Sequence, residues 1–151
     1  MRLRQRLQVV RSEDQAFAAV VAACAEARGP TTGTWITAEM QAAYLQLHAL
    51  GHAHSIEVWC GDELAGGLYG VAIGGLFAGE SMFAHARDAS KVALMGLVDL
   101  LSDEYAEERL LDTQWQTPHL TTLGVVEVPR QEYLRLLERA LELPLPHIFA
   151  Q

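Results

Sequence analysis

Two short segments carry ionisable or amide groups into stretches that are otherwise apolar. One is residues 79–83, which contains Glu80, and the other is residues 111–114, which contains Asp112 and Gln114. A carboxylate on the inward face of a strand is costly unless it is paired or used. The two segments therefore predict a polar site built into a sheet, where carboxylate and amide groups could relay protons and orient a reacting group.

The strand that carries Glu80 is predicted over residues 76–83. Strict alternation puts Glu80 and Met82 on one face of this strand and Phe77 on the other. Whichever face is inward, a polar group then lies beside large apolar side chains. Two interpretations stay open: Glu80 is a surface carboxylate on an exposed face, or it is buried with a partner and takes part in chemistry.

Asp112 and Gln114 stand two residues apart on a predicted strand over residues 110–115. Side chains with this spacing share one face of a strand. The strand follows a crossover, and ligands of open α/β sheets bind at the carboxyl ends of such strands. This location favours a functional pair, and the alternative is that Asp112 only caps a local turn.

The hydrophobic pattern predicts the elements that position these groups. Residues 12–15 have the form of a capping box ahead of a first helix, and Thr37 is the predicted cap of a second helix. Period-two segments separated by turn residues predict an antiparallel meander. The predicted elements from there on are strands at 55–59, 63–73 and 76–83, a buried helix at 91–105, strands at 110–115 and 125–128, and a last helix with Pro129 at its first position.

The order of these elements predicts an α+β fold with a mixed sheet. The meander supplies antiparallel strands, and the strand–helix–strand unit of residues 76–115 supplies one right-handed parallel crossover. This order is compatible with the GCN5-related N-acetyltransferase arrangement.

Composition limits the class of protein. With 151 residues, half of them hydrophobic and a fifth charged, the chain is predicted to be one soluble globular domain. The net charge of −8 argues against non-specific binding of nucleic acid. No apolar run has the length of a membrane span, and the two cysteines lack metal or redox spacing, which favours a cytoplasmic protein.

The first eleven residues differ in charge from the rest of the chain. Residues 1–11 are predicted to form a basic N-terminal strand or remnant, and residues 12–151 a catalytic domain resembling an acyltransferase. The basic residues of the first segment are Arg2, Arg4, Arg6 and Arg11. Two interpretations stay open: a solvated edge strand protected by its charges, or a contact to phosphate.

The start of the buried helix bears on the choice of acyl donor. Enzymes that use acetyl-CoA hold its pyrophosphate on glycine-rich backbone amides at this position. Residues 86–91 contain no glycine, and Asp88 would repel phosphate, so the sequence argues against CoA. Ser90 and Lys91 could hold a single anionic group here, or they could be a helix cap and a lysine that extends its ammonium to solvent.

Other chemistries find little support in the sequence. The six histidines show no third ligand with matching spacing, so no metal is expected. No nucleophile elbow is present, and neither cysteine has an activating neighbour, so covalent catalysis is not expected. Trp35, which precedes the second helix, could stack on a base or could belong to the core or its rim.

Several segments together resemble the leucyl/phenylalanyl-tRNA–protein transferase family. The matching segments run in order from about residue 33 to residue 141. They are residues 33–37 (GTWIT), 50–59 (LGHAHSIEVW), 64–71 (LAGGLYGV), 76–83 (LFAGESMF), 88–91 (DASK) and 111–114 (LDTQ), with the pairs His119-Leu120, Leu123-Gly124 and Pro129-Arg130.

The resemblance implies an activity and its partners. Family members transfer leucine, phenylalanine or methionine from the 3′ end of aminoacyl-tRNA to acceptor proteins that begin with lysine or arginine, which marks those proteins for degradation. Their catalytic domain is similar to the N-acetyltransferase fold but uses tRNA in place of CoA. No cofactor and no membrane partner are implied.

The resemblance also implies roles for residues of this chain. Asp112 and Gln114 match the pair assigned to peptide-bond formation, and Glu80 matches an active-site acid. Trp35 matches a tryptophan linked to the terminal adenosine. The residues that match the neighbourhood of the pocket for the donor's apolar side chain are Leu68, Phe77 and Met82.

The chain departs from the family pattern in places. Thr113 stands where cysteine is usual, and we expect little effect because its side chain should point to the opposite face of the strand. The family's N-terminal domain is expected to be absent from these residues. Two other functions stay open: an N-acyltransferase of the same fold with a different donor, and a module that binds basic N-termini or tRNA ends without catalysis.

Overall fold

A five-stranded mixed sheet forms the centre of the protein, which the computed structural model describes over residues 9–26 and 33–150. The strands lie side by side in chain order, the first four antiparallel to their neighbours and the last parallel to the fourth. They are β1 (Val9–Glu13), β2 (Ala53–Cys60), β3 (Glu63–Ile73), β4 (Leu76–Ala84) and β5 (Leu110–Asp112).

Helices cover both faces of this sheet. They are α1 (Phe17–Glu26), α2 (Ala38–Ala49), α3 (Ala89–Leu101), α4 (Pro118–Thr122) and α5 (Arg130–Leu141), followed by a 3₁₀ turn over His147–Phe149. The parallel pair β4 and β5 is joined through α3, and β2 to β4 form the meander. The predicted α+β fold, with its mixed sheet, antiparallel meander and one βαβ crossover resembling the N-acetyltransferase arrangement, is therefore confirmed.

Each face of the sheet has its own apolar core. Alternation along the strands sends Leu68 and Phe77 toward α3, where Leu97 and Phe149 complete one cluster. The other face meets α1 and α2 in a second cluster whose largest members are Phe17, Tyr44, Tyr69 and Phe83. Because both faces are covered, β3 is buried along most of its length.

Two local predictions are confirmed at the ends of helices and strands. Thr37 is the N-cap of α2, since its hydroxyl accepts the backbone N–H of Met40 at 3.3 Å. The hairpin between β3 and β4 turns at Gly74 and Gly75, and Gly74 has a φ of 57°. Both features depend on neighbouring residues alone, which is why the sequence reveals them.

The predicted capping box at residues 12–15 is wrong. Residues 12 and 13 continue β1 and pair with Glu57 and Ile56, and α1 begins only at Phe17. The carboxylate that meets the start of the helix comes from Glu57 on β2, whose Oε1 accepts the backbone N–H of Ala16 at 3.2 Å. Residues 1–8, which carry most of the predicted basic strand, lie outside the described residues.

The predictions after residue 100 need four corrections. Helix α3 ends at Leu101 rather than at residue 105, and β5 ends at Asp112 rather than at residue 115. Residues 125–128 form a connecting segment and not a strand, and Pro129 is the N-cap of α5.

An ion pair explains the early end of α3. The Arg109 guanidinium donates from Nε to Asp103 Oδ1 at 2.8 Å and from Nη2 to Oδ2 of the same carboxylate, and it holds the pKa of Asp103 below its usual value. Nη1 of Arg109 donates to the Pro144 carbonyl at 3.0 Å. These bonds fold residues 103–109 into turns and tie them to the C-terminal segment, which no local helix propensity could reveal.

Candidate active site

A β-bulge in β4 determines where Glu80 lies. The register with β3 shifts between Tyr69, which is opposite Ser81, and Gly70, which is opposite Gly79. Glu80 is therefore an additional residue on β4 with no partner residue in β3. Such bulges redirect side chains and often occur beside functional sites.

The bulge also corrects the predicted faces of β4. Strict alternation separated Met82 from Phe77, but one additional residue reverses the alternation beyond it. Met82 now lies opposite Leu68, and Phe77 lies opposite Ala72, so all four share the face that packs on α3. The three predicted pocket residues Leu68, Phe77 and Met82 are thus brought together.

The sheet opens beside the bulge. Strand β5 pairs with β4 only over Leu76–Ala78, whereas β4 continues to Ala84. Beyond this point the side chain of Gln114 takes the place of a strand partner, because its Nε2 donates to the Gly79 carbonyl at 2.9 Å. A strand edge that separates from its neighbour leaves a cleft with polar backbone on one wall.

Asp112 fixes the backbone that presents Gln114. Its Oδ1 accepts the backbone N–H of Gln114 at 2.7 Å, and Gln114 has a φ of 65°. Left-handed backbone is uncommon for glutamine, and strained residues of this kind cluster at functional sites. The turn ends β5 and aims the amide back at β4.

Tyr133, on α5, holds the second oxygen of Asp112. Its hydroxyl donates to Oδ2 at 2.6 Å, and this bond, with partial burial, raises the pKa of Tyr133 to about 12. Both carboxylate oxygens of Asp112 therefore have donors, one from the turn and one from a helix. Asp112 is a rigid support for Gln114.

Glu80 lies between Gln114 and helix α2. One of its oxygens, Oε2, lies 3.4 Å from Gln114 Nε2, and its carboxylate interacts with the Tyr44 hydroxyl of α2. Burial, and after it this carboxylate, raise the pKa of Tyr44. Glu80 is thus neither a solvated surface group nor buried without a partner, and the predicted trio Glu80, Asp112 and Gln114 forms one connected cluster.

An apolar cavity of about 320 Å³ lies next to Glu80. Its walls combine β3, β4, α3, β5 and α4. The apolar side chains in its lining are Leu68, Met82, Leu94, Leu97, Leu111, Leu120 and Trp115. Phe77, which was predicted beside the pocket, is buried beneath this lining, with 1% of its surface exposed.

A larger cavity of about 1170 Å³ adjoins the smaller one, and Gln114 is part of its lining. It is bounded by α3, by residues 110–116 and by residues 122–128. Thr113 and Trp115 line both cavities, so the two spaces meet at the turn that carries Gln114. Thr113 consequently borders the cleft, and the expectation that it points away across a strand is wrong because β5 has already ended.

The remaining predicted residues, Trp35, Ser90 and Lys91, lie outside the cluster of Glu80, Asp112 and Gln114. Trp35 is 40% exposed and makes an edge-to-face contact with Tyr44, with ring centroids 6.4 Å apart. Lys91 lines the larger cavity, with its Nζ 3.1 Å from Asp88 Oδ1. Ser90 lines neither cavity and is not a cap, since Asp88 is the N-cap of α3.

Tyr44, Tyr133 and Trp115 are the residues that the sequence did not single out for the site. Both tyrosines stand at helical spacing among leucines, a pattern that is typical of core-facing residues. Their hydroxyl groups reach Glu80 and Asp112 only because the helices dock against the opening in the sheet. Trp115 lies next to Gln114 in the sequence and is 78% exposed. A large apolar side chain that is so exposed indicates a binding surface, but this feature is visible only in the structure.

Two features are absent from residues 9–26 and 33–150. No group of three or more histidine, cysteine, aspartate or glutamate residues in that part of the chain has the geometry of a metal site. None of the helices described there reaches the length and hydropathy of a transmembrane span.

The fold and the cleft define a protein of the N-acetyltransferase-like class, with the polar cluster where β4 and β5 separate. Comparison with known proteins is more specific. The family described as leucyl/phenylalanyl-tRNA protein transferase matches residues 1–138. The chain belongs to this family.

Individual relatives support the assignment. The leucyl/phenylalanyl-tRNA–protein transferase of Bordetella avium is 53% identical over 133 residues, which are 88% of this chain and 52% of that protein. That of Anaeromyxobacter dehalogenans is 57% identical over 134 residues, 88% of this chain and 57% of the relative. That of Caulobacter vibrioides is 53% identical over 132 residues, 87% of this chain and 59% of the relative. The chain thus spans a little over half the length of these relatives.

Proposed function

We propose that this chain transfers leucine, phenylalanine or methionine from the 3′ end of aminoacyl-tRNA to the N-terminal lysine or arginine of acceptor proteins, in the cytoplasm, as a tag for degradation. The observation that carries the proposal is the Gln114 amide, held between the Gly79 carbonyl and Glu80 at the border of an apolar cavity. The names of the relatives, which specify leucyl and phenylalanyl groups and tRNA, support the same reaction.

The reaction is the aminolysis of an ester. The acceptor's α-amine nitrogen attacks the ester carbonyl carbon, a peptide bond forms, and the ester bond to the ribose oxygen breaks. The proton lost by the amine ends on that ribose oxygen. Because the ester is already activated, positioning and proton removal supply most of the catalysis.

Gln114 is suited to hold the attacking amine. Its Nε2 is engaged with Gly79 and Glu80, and no hydrogen bond among the described residues uses its Oε1. That oxygen is therefore available to accept an N–H of the amine and to aim its lone pair at the ester carbon. Asp112 acts through the backbone of Gln114, and the Glu80 carboxylate attracts the acceptor's cationic N-terminus to the site.

The smaller cavity suits the donor's side chain. Its predominantly apolar walls, with Leu68 and Met82 among them, fit a leucine, methionine or phenylalanine side chain. Trp35, which packs edge-to-face on Tyr44, provides a half-exposed ring on which the terminal adenine could stack.

The start of α3 argues against CoA as the donor. Asp88 occupies the N-cap, and its carboxylate is close to both Lys91 and Arg87. A pyrophosphate at this helix terminus would meet that carboxylate rather than free backbone amides. We therefore propose that Ser90 and Lys91 contribute at most a contact to a single anionic group of the tRNA.

The test is a transfer assay with radiolabelled leucyl-tRNA and a peptide that begins with arginine. Labelled peptide is the expected product, and titration with acyl-CoA in a calorimeter is expected to give no heat. A folded protein that yields no labelled peptide contradicts the proposal. If that protein still binds the peptide, the chain is a binding module instead.

Tyr133 provides a test of the support beneath Gln114. Replacing Tyr133 by phenylalanine removes the hydroxyl that holds Asp112 Oδ2, and we expect kcat to fall about tenfold with KM for the peptide unchanged. The measurement is steady-state kinetics of transfer. Tyr105→Phe, in the turn after α3, is the matched control and is expected to leave both constants unchanged.

A further inference from the structure

Acceptor recognition comprises two tasks: aiming the α-amine, and distinguishing a cationic first side chain from a neutral one. Glu80 is suited to the first task only. Its carboxylate lies 3.4 Å from Gln114 Nε2, and it stands beside the smaller cavity that fits the donor. A second carboxylate is therefore needed for the acceptor's side chain.

The larger cavity is the space from which an acceptor can reach Gln114. It shares its boundary with the cluster through Asp112, Thr113 and Gln114, and its volume of about 1170 Å³ exceeds what one side chain fills. The smaller cavity adjoins it at Thr113 and Trp115 of the same turn. An ester whose side chain fills the smaller cavity thus leaves the larger one to the attacking peptide.

The walls of the larger cavity combine apolar surface with negative charge. Met95 and Val98 of α3 and Val126 of the opposite segment are exposed, at 64%, 47% and 74%. Asp99 adds a carboxylate on the α3 side. Surfaces of this kind accommodate the long aliphatic stem of lysine or arginine while its charge meets a carboxylate.

Glu127 is the carboxylate placed to meet that charge. It lines the cavity from the segment of residues 122–128, and the structure gives its carboxylate no hydrogen bond or ion pair with any described residue. Asp112, by contrast, has donors on both oxygens. The only lysine in the lining, Lys91, lies against Asp88, so the described lining is acidic on balance.

The segment that carries Glu127 is anchored to the site at both ends. Gln116 Nε2 donates to the Val125 carbonyl at 3.3 Å, which joins the segment to the loop after Gln114. At its other end, Pro129 begins α5, whose Tyr133 donates to Asp112. The segment that carries Glu127 is thus connected at one end to the loop after Gln114 and at the other end to the helix that supports Asp112.

We propose that the larger cavity is the acceptor subsite and that Glu127 pairs with the side chain of the acceptor's N-terminal lysine or arginine. This inference rests on the proposed function for the identity of the acceptor. It separates the work of two carboxylates: Glu80 serves the α-amine and Glu127 serves the side chain. Charge-assisted pairing of this kind gives selectivity for a cation over a neutral group of the same shape.

The test compares two peptides that differ only in the charge of the first side chain. One begins with arginine and the other with citrulline, which has the same shape without the charge. Calorimetric titration of the full chain is expected to show about tenfold tighter binding of the arginine peptide, and Glu127→Gln is expected to bring the ratio to about one. Glu138→Gln removes an equal charge from an exposed position of α5 outside both cavity linings and should keep the tenfold ratio.

The outcomes separate this inference from the proposed function, since the titration uses no tRNA. A ratio that survives in Glu127→Gln overturns the assignment of Glu127, even if transfer to the peptide occurs. The same holds if the unaltered chain binds both peptides equally or binds neither. Discrimination that depends on Glu127, in a protein that transfers no amino acid, supports the subsite and rejects the transferase activity.

Discussion

Replacing Gln114 by asparagine is expected to lower kcat for aminoacyl transfer by about a hundredfold or more. Asparagine tolerates the left-handed backbone that Gln114 adopts at a φ of 65°. Its side chain is one methylene shorter, so the amide would no longer span from the turn to the Gly79 carbonyl. The change therefore removes the positioned amide while leaving the turn intact.

The stability of this variant decides how the loss of activity is interpreted. Gln114 is exposed, and we expect the free energy of unfolding in urea to change by no more than about 0.5 kcal/mol. Gln46→Asn, on the exposed surface of α2, is the control and should leave both activity and stability unchanged. Full activity in Gln114→Asn would show that the reaction does not use this amide.

A second substitution separates the amide from the backbone. Gln114→Gly relieves the left-handed strain and removes the side chain, so we expect equal or higher stability together with the same loss of activity. If the glycine variant kept its activity, the strained turn itself, or Asp112, would be the working part of the site. Comparison of the two variants thus shows whether the loss of activity comes from the side-chain amide of Gln114 or from its backbone turn.

The residues of the candidate site could be predicted from the sequence, but the contacts between them could not. Glu80, Asp112 and Gln114 attract attention because polar groups interrupt apolar strands, which is information that the sequence contains. Their contact depends on the bulge at Glu80 and on the turn at Gln114. Alternation assumes regular strands, so it assigned Met82 and Phe77 to opposite faces and continued β5 too far.

Long-range partners explain the other differences. The start of α1 is met by Glu57, which is far away in sequence, and α3 ends where Arg109 binds Asp103. A local pattern such as the apparent capping box cannot compete with a partner that the fold supplies. Features with short-range causes, such as the Thr37 cap and the turn at Gly74, were predicted correctly.

Gly70 lies at the register shift of the bulge, and Gly70→Ala is expected to destabilise the protein by about 3 to 5 kcal/mol. A Cβ at this position would lie 2.4 Å from the Ala78 carbonyl oxygen and 2.5 Å from the Phe77 ring. One neighbour is backbone of the paired strand and the other is a core side chain with 1% exposure, so neither has room to move. The measurement is the free energy of unfolding in urea.

Substitutions at two further glycines, Gly61 and Gly79, are expected to destabilise the protein less than Gly70→Ala does. At Gly61 a Cβ would meet nothing within 4 Å, so Gly61→Ala should cost only the strain of its φ of 61°, about 1 kcal/mol. At Gly79 a Cβ would lie 3.3 Å from the Asp112 carbonyl, a contact that requires a small shift of β5. We therefore expect Gly79→Ala to reduce transfer more than its modest loss of stability explains, because Asp112 supports Gln114. If Gly70→Ala does not fold, the comparison of Gly79→Ala with Gly61→Ala still tests the bulge, and equal activity in those two variants would contradict its role in positioning the site.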